Sequence, residues 1–205
     1  MQKPRVLKAT NEAIVEAAEI IKGGGLVIYP TETVYGLGCD PFNPSAVDRL
    51  LRVKGRENKP LPIAADSIKK AREVAQFNPQ AEKIVSELWP GPLTLILKAR
   101  VSFPQGVTCG LDTIGIRVPD HEVALRLAEL SGGYLVSTSA NKSGAPSPRK
   151  VEEAIAQIGQ EVDLIIDAGR SPLGHSSTVL DLTSKPRILR EGPIPMKLIL
   201  EVLRN

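Results

Sequence analysis

An α/β layered domain built on a mixed sheet is the fold this sequence predicts, on three observations. Apolar runs of strand length alternate along the chain with segments whose apolar residues recur at helical spacing. Glycine, proline and asparagine punctuate most changes from one kind to the other. No internal repeat or low-complexity tract interrupts the 205 residues, and the stretch GAPSP at 144–148 is short enough for a loop, so 1–205 is expected to form a single domain.

Residues 11–22 place Ile14, Ala17, Ala18 and Ile21 on one helical face, and Gly23-Gly24-Gly25 stops that helix. The run LVIY at 26–29 follows as a short buried strand. Asn43-Pro44 opens a second helix in the order cap, then proline, with Val47, Leu50 and Leu51 turned inward. Further helices fit 67–76, 79–88, 120–131, 148–158 and 195–203. Val123, Leu127 and Leu130 make one apolar stripe, and Val151, Ile155 and Ile158 another. The remaining strand candidates are 61–65, 93–98, 114–118, 134–139, 162–167, 177–182 and 186–190.

Apolar residues make up 42% of the chain and aromatics only 3%, so the core is expected to be aliphatic and alanine-rich. The net charge of +3 is too mild to imply nucleic acid by itself, but its distribution is uneven. Arg49, Arg52, Lys54, Arg56 and Lys59 crowd into one short stretch, offset by Asp48 and Glu57. Arg49 and Arg52 read as the solvated side of a helix. Gly55 ends that helix and leaves Lys54 and Arg56 on a loop.

Cys39 and Cys109 lie far apart with no CxxC spacing, which suggests neither a zinc site nor a disulfide framework. With His121 and His175 the only histidines, no metal site is expected from the protein's own side chains. No apolar stretch approaches the roughly 20 residues needed to span a bilayer, so a reduced, cytoplasmic enzyme or binding protein with no membrane contact is expected.

Gly23-Gly24-Gly25 is not a phosphate loop. That device needs strand, glycines, then helix, closed by Lys-Ser/Thr, whereas here the order is helix, glycines, strand. The run PTETVYGLG at 30–38 leaves an apolar strand directly, where α/β folds bind ligands, and its polar residues and glycines make it a candidate binding loop. Ser147-Pro148 reads as a helix N-cap followed by proline, a place that also attracts phosphate. His175, before Ser176-Ser177-Thr178, lacks a visible partner and is not taken as catalytic.

Strand parity gathers further candidates. In 113–118, Ile114, Ile116 and Val118 point one way while Thr113, Gly115 and Arg117 point the other. In 134–139, Leu135, Ser137 and Ser139 share a face. Two polar rows beside small residues suggest one polar cavity. With the cations of 54–56 and the small hydrogen-bonding residues Ser139-Ala140-Asn141, such a cavity can hold a polyphosphate without a side-chain nucleophile.

These same segments carry a resemblance. PTETVYGLG at 30–38, KGR at 54–56, KPL at 59–61, TIGIRVP at 113–119, STSANKSGAPSP at 137–148, STVLDL at 177–182 and ILREGPI at 188–194 occur in an order that resembles the YrdC-like family. More narrowly, they resemble its L-threonylcarbamoyladenylate synthases in single-domain form. The resemblance implies a twisted mixed sheet flanked by helices and enclosing a positively charged cavity. It implies an enzyme, a nucleotidyltransferase that joins L-threonine, bicarbonate and ATP into threonylcarbamoyl-AMP and releases pyrophosphate, with Mg²⁺ carried by the nucleotide. The product would pass to downstream threonylcarbamoyl-transfer proteins and end in threonylcarbamoyladenosine of tRNA.

Position by position, the resemblance places threonine on Thr33, Arg117 and Ser137, with Arg117 meeting its carboxylate as a guanidinium fork can. Lys54, Arg56 and Lys59 would face the phosphates and the carboxylated amine, and Thr113, Ser139, Asn141, Ser147 and Arg190 the nucleotide. Lys54, Arg56, Ser139 and Asn141 would be the catalytic set. Two departures stand out: many family members have proline after the KxR arginine and a longer spacer before PL, where Glu57-Asn58-Lys59 stand here, and Ala64 occupies a position where some carry a substrate-facing histidine. Three alternatives stay open: an RNA-binding YrdC-like protein without synthase activity, a hydrolase of the same adenylate, and a carbamoyl-adenylate enzyme.

Overall fold

The computed structural model describes residues 4–55 and 59–204. In chain order the elements are β1 (Val6–Lys8), α1 (Asn11–Lys22), β2 (Val27–Tyr29), β3 (Gly36–Gly38), α2 (Pro44–Lys54), β4 (Ile63–Ala65), α3 (Ile68–Val74) and β5 (Ala75–Gln76). They continue with α4 (Pro79–Leu88), β6 (Leu93–Ala99), α5 (Gln105–Thr108), β7 (Thr113–Arg117), α6 (Glu122–Leu130), β8 (Tyr134–Val136) and β9 (Thr138–Ser139). The last are α7 (Val151–Ile158), a 3₁₀ turn at Gly159–Glu161, β10 (Leu164–Asp167), β11 (Thr178–Asp181), β12 (Arg187–Arg190) and α8 (Met196–Arg204).

The caps explain the helix starts. Thr10, Asn43, Ser67 and Asn78 each accept a hydrogen bond from the backbone N–H three residues on, satisfying a donor the helix cannot. Gly55 ends α2 in the left-handed conformation at φ 58°, as its place after the last apolar turn predicts. Lys54, however, still belongs to that helix and is not on the loop. The expected helix at 67–76 stops early because Ala75 and Gln76 extend and pair with Ala99 and Lys98. Ser147-Pro148 does not open α7, which begins at Val151 with Lys150 as an N-cap that makes no side-chain hydrogen bond. Instead, the Pro148 carbonyl accepts from Tyr35 N, which ties this segment to the 30–38 run.

The strands form two mixed sheets where a single one was expected: five strands in the order β1-β10-β2-β3-β9, and a larger sheet in the order β12-β11-β6-β7-β4-β8, with β5 on β6. The run 134–139 is divided between them. Tyr134–Val136 pairs with β4 in the large sheet, and Thr138–Ser139 pairs with β3 in the small one. Ser137, at the crossing, donates its N–H to Pro62 O.

The strand β3 lies inside the expected binding loop and exists because of its glycines. A Cβ on Gly38 would come within 2.8 Å of the Tyr29 ring, and one on Gly36 within 3.0 Å. The buried ring of Tyr29 therefore lies against bare backbone, which lets β2 and β3 pair closely.

The main apolar cluster fills the space between the large sheet, α2, α4, α7 and α8, while α1 and α6 pack over β2 and β10 in a second cluster. Both are mostly aliphatic. Among the described residues no helix is long and apolar enough to cross a membrane.

Candidate functional site

Alternation along the large sheet builds the floor of a cleft of about 220 Å³. Thr94 and Ile96 of β6, Gly115 and Arg117 of β7, and Val179 of β11 face it. Their sequence neighbours Leu95, Ile114, Ile116 and Leu180 go into the core. The small sheet and the crossing run supply the facing wall with Thr33, Val34, Gly36, Ser137, Thr138 and Ser139. Pro60, Leu61 and Pro62 line another side, and Ser176, Ser177 and Arg190 complete it. A shallower hollow lined by Leu173, His175, Ser176, Glu191, Gly192 and Pro193 adjoins it at Ser176.

At the deep end, Arg117 is fixed from the opposite wall. Its Nη1 donates to Glu32 Oε1 and to Thr33 Oγ1, both at 3.2 Å. The threonine turn is itself tied down: Thr31 Oγ1 lies 2.8 Å from Thr33 Oγ1, donates to Val34 O and accepts from Thr33 N. Burial raises the Tyr29 phenol above its ordinary pKa, although Ser137 and Arg117 act in the other direction.

Lys54 and Asn141 form the wall behind Ser139. The Lys54 ammonium, 2% exposed, donates to Ser139 O at 2.5 Å and to Asn141 O at 2.9 Å. Asn141 Nδ2 donates to the carbonyls of Lys142 and Ala145, closing the next turn. The two segments singled out in the sequence are thus joined, through a buried cation on backbone carbonyls. A buried ammonium bonded in this way fixes the 139–141 backbone firmly, because leaving it or its acceptors unpaired is costly.

Of the candidate residues, Thr33, Arg117, Ser137, Ser139 and Arg190 line the cleft. Ser147 sits at its edge, with Oγ 3.4 Å from Ser176 Oγ. Lys59 is exposed and precedes Pro60 of the lining. Thr113 does not join them: it is at the far end of β7, paired with Lys98, so parity put it on the correct face but too far along the strand. Leu135 likewise shares a face with Ser137 only on paper, since the run crosses between sheets and Leu135 packs in the second core cluster. Arg56 lies outside the described residues. Ala64 is fully buried and pairs directly with Arg117 across β4 and β7.

Sequence reasoning missed Thr94, Ser176 and Ser177, whose hydroxyls line the cleft, and Glu32, which holds Arg117. The serine pair was visible beside His175, and Glu32 stands inside the 30–38 motif. Glu32 pairs with Arg117 85 positions on and Thr94 with Ser177 83 positions on, and such pairing leaves no local signal.

The geometry has known counterparts. The family model described as "Telomere recombination", for Sua5, YciO and YrdC, matches residues 19–192. The chain is 42% identical over 190 residues to the threonylcarbamoyl-AMP synthase of Pyrococcus abyssi, covering 91% of this chain and 56% of that protein. It is 39% identical over 196 residues to a putative threonylcarbamoyl-AMP synthase of Mycobacterium tuberculosis, covering 94% and 90%. A crystal structure of Pyrococcus abyssi Sua5 complexed with L-threonine superposes with a TM-score of 0.91 at 40% identity, over 97% of this chain and 59% of that one. The structure of Escherichia coli YciO gives 0.85 at 28% identity, over 97% and 100%. The chain therefore spans little more than half of the Pyrococcus abyssi protein and nearly all of the other two. On this combined match of sequence and fold, the chain belongs to the Sua5/YciO/YrdC family.

Proposed function

We propose that this protein is an L-threonylcarbamoyladenylate synthase, forming threonylcarbamoyl-AMP and pyrophosphate from L-threonine, bicarbonate and ATP. The observation that carries the reading is the division of the cleft. Its deep end presents a fixed guanidinium beside Thr33 and Ser137, and elsewhere it is lined by Ser139, Ser176, Ser177 and Arg190. Among the described residues that line it there is no Asp, Glu, Cys or His to act as nucleophile or base. The names of the relatives support the same reading.

Chemistry of this kind asks mainly for placement and charge neutralisation. Threonine's free amine and bicarbonate give an N-carboxylate and water. A carboxylate oxygen of that species attacks the α-phosphorus of ATP, and the bond to the β-phosphate oxygen breaks to release pyrophosphate. Arg117 takes the amino-acid carboxylate, Thr33 and Ser137 flank it, and Arg190 with the serines meets the nucleotide. Lys54 acts by holding the Ser139–Asn141 backbone, and Arg56 and Lys59 add positive charge over the phosphates.

Mg²⁺ arrives with ATP. Among the described residues no group of three or more His, Cys, Asp or Glu is placed to hold a metal ion, whereas nucleotide phosphates commonly carry magnesium with its waters. The reading includes residues 1–205 acting as one domain in the cytoplasm. The adenylate passes to a threonylcarbamoyl-transfer protein and then to tRNA. Incubation with ATP, bicarbonate and each of several amino acids tests this: threonine-dependent pyrophosphate release is expected. Its absence, together with tight salt-sensitive tRNA binding, would favour the RNA-binding alternative.

A further inference from the structure

We infer that Glu32 is a positioning residue that lets one cleft keep two different anions apart, acting through Arg117; this rests on the reading that the deep end takes an amino-acid carboxylate. Glu32 is not part of the cleft lining. It stands behind Arg117 and Thr33, and the ion-paired side chains of Arg117 and Glu32 are 7% and 5% exposed. Anything it does to a ligand passes through those two neighbours.

Its position is rigid. Glu32 O accepts from Leu173 N at 3.0 Å and Thr33 O from Gly174 N at 2.8 Å, so the turn cannot shift without releasing the neighbouring loop. Together Glu32 Oε1 and Thr33 Oγ1 accept from Arg117 Nη1, which leaves the Nη2 and Nε hydrogens for a ligand. Glu32 Oε2 is buried and has no hydrogen-bond partner among the described residues. A carboxylate with one idle buried oxygen does more here than satisfy a guanidinium. Its other oxygen sets an ion-paired carboxylate against that guanidinium at 3.2 Å.

That charge has a consequence for selectivity. A lone buried cation attracts a phosphate more strongly than a carboxylate, because Coulomb attraction scales with the charge of the anion. Pairing with Glu32 cancels most of that long-range pull and leaves the short-range fork geometry that suits a single carboxylate. The polyanion is then not drawn into the amino-acid end. Discrimination of this kind works by weakening the wrong complex.

The test is Glu32→Gln, which keeps the shape and one acceptor but removes the charge. In threonine-dependent pyrophosphate release with the full chain, inorganic phosphate is expected to become a competitor of threonine in Glu32→Gln, raising its apparent KM by about tenfold, while the wild type resists the same phosphate concentration. Without phosphate, kcat and the KM for ATP should stay within about threefold of wild type. Glu32→Asp keeps the charge but shortens the reach, so its threonine KM should rise while phosphate resistance is retained. Equal phosphate response in wild type and Glu32→Gln, or a phosphate-sensitive Glu32→Asp, overturns the inference. A wild type without threonine-dependent turnover sinks the proposed activity instead. Calorimetric titration of inorganic phosphate into wild type, Glu32→Gln and Glu32→Asp still decides the role of Glu32 in that case.

Discussion

Arg117 and Arg190 line the same cleft and are held in opposite ways. Arg117 sits at the end of an interior strand, 6% exposed, and is gripped by a carboxylate and a hydroxyl from the turn between β2 and β3. Arg190 ends an edge strand and is exposed, donating through Nε to Ser177 O at 3.0 Å and through Nη2 to Ser177 Oγ at 3.2 Å. The first is placed before any ligand arrives. The second leans on Ser177, which itself belongs to the cleft. Under the proposed activity, ordering a small amino acid at one end and admitting a larger nucleotide at the other would use both kinds of cation.

Substitutions at the two arginines should separate these roles. Arg117→Ala has the largest expected effect: the kcat/KM for threonine should fall by about 100-fold while ATP binding changes by less than about threefold. It should also cost about 3 kcal/mol of stability, because Glu32 would remain buried without its cation. Threonine and ATP binding weakened equally would show that the two ends are not distinct. Lys54→Met comes next. Two backbone carbonyls lose a charged donor, Ser139 O keeping that of Asn141 N, so urea denaturation should show a loss of about 2 kcal/mol, with turnover falling as the 139–141 segment loosens. An unchanged midpoint would show that the buried ammonium is dispensable to the wall.

A smaller effect is expected at a second ion pair, whose residues do not line the cleft. Asp163 accepts from Arg49 and from Leu26 N at 2.7 Å. Burial alone would raise its pKa, but those hydrogen bonds outweigh it and the carboxyl is held below its ordinary value. A lowered folded-state pKa means stability that is present above the unfolded value and lost as pH falls through the folded one. Both side chains are about a third exposed, so solvent screening limits the contribution to about 1 kcal/mol or less. Asp163→Asn should therefore melt below wild type at neutral pH, and the gap should close as pH drops below about 4. A gap that persists in acid would point to the lost packing and not to the charge.

Much of this arrangement was legible from residue types. Asn43-Pro44 and Gly55 bound α2 because capping and left-handed backbone are local chemistry. Parity in 113–118 sorted core from cleft because a strand's alternation does not depend on its partners. What failed was non-local. Gly36-Leu37-Gly38 has no strand propensity and forms a strand because the Tyr29 ring needs bare backbone beside it. The 134–139 run reads as one strand, and nothing in LVSTS says that it changes sheets at Ser137. Ser147-Pro148 looks like a helix start until Tyr35 N claims the proline carbonyl. Glu32 reads as part of a polar loop, because its partner Arg117 is 85 positions away at the end of β7.

The change of sheets at Ser137 ties recognition to mechanical integrity. One stretch of backbone belongs to both layers, and its switch residue Ser137, with Thr138 and Ser139 after it, lines the cleft. An occupant touching Thr33 and Ser139 on one side and Arg117 and Val179 on the other would act as a clasp between the layers. Loading the cleft should then slow opening of the seam itself, visible as amide exchange protection along Thr138 and Ser139 and on Gly36 opposite, far more than at the distant helices.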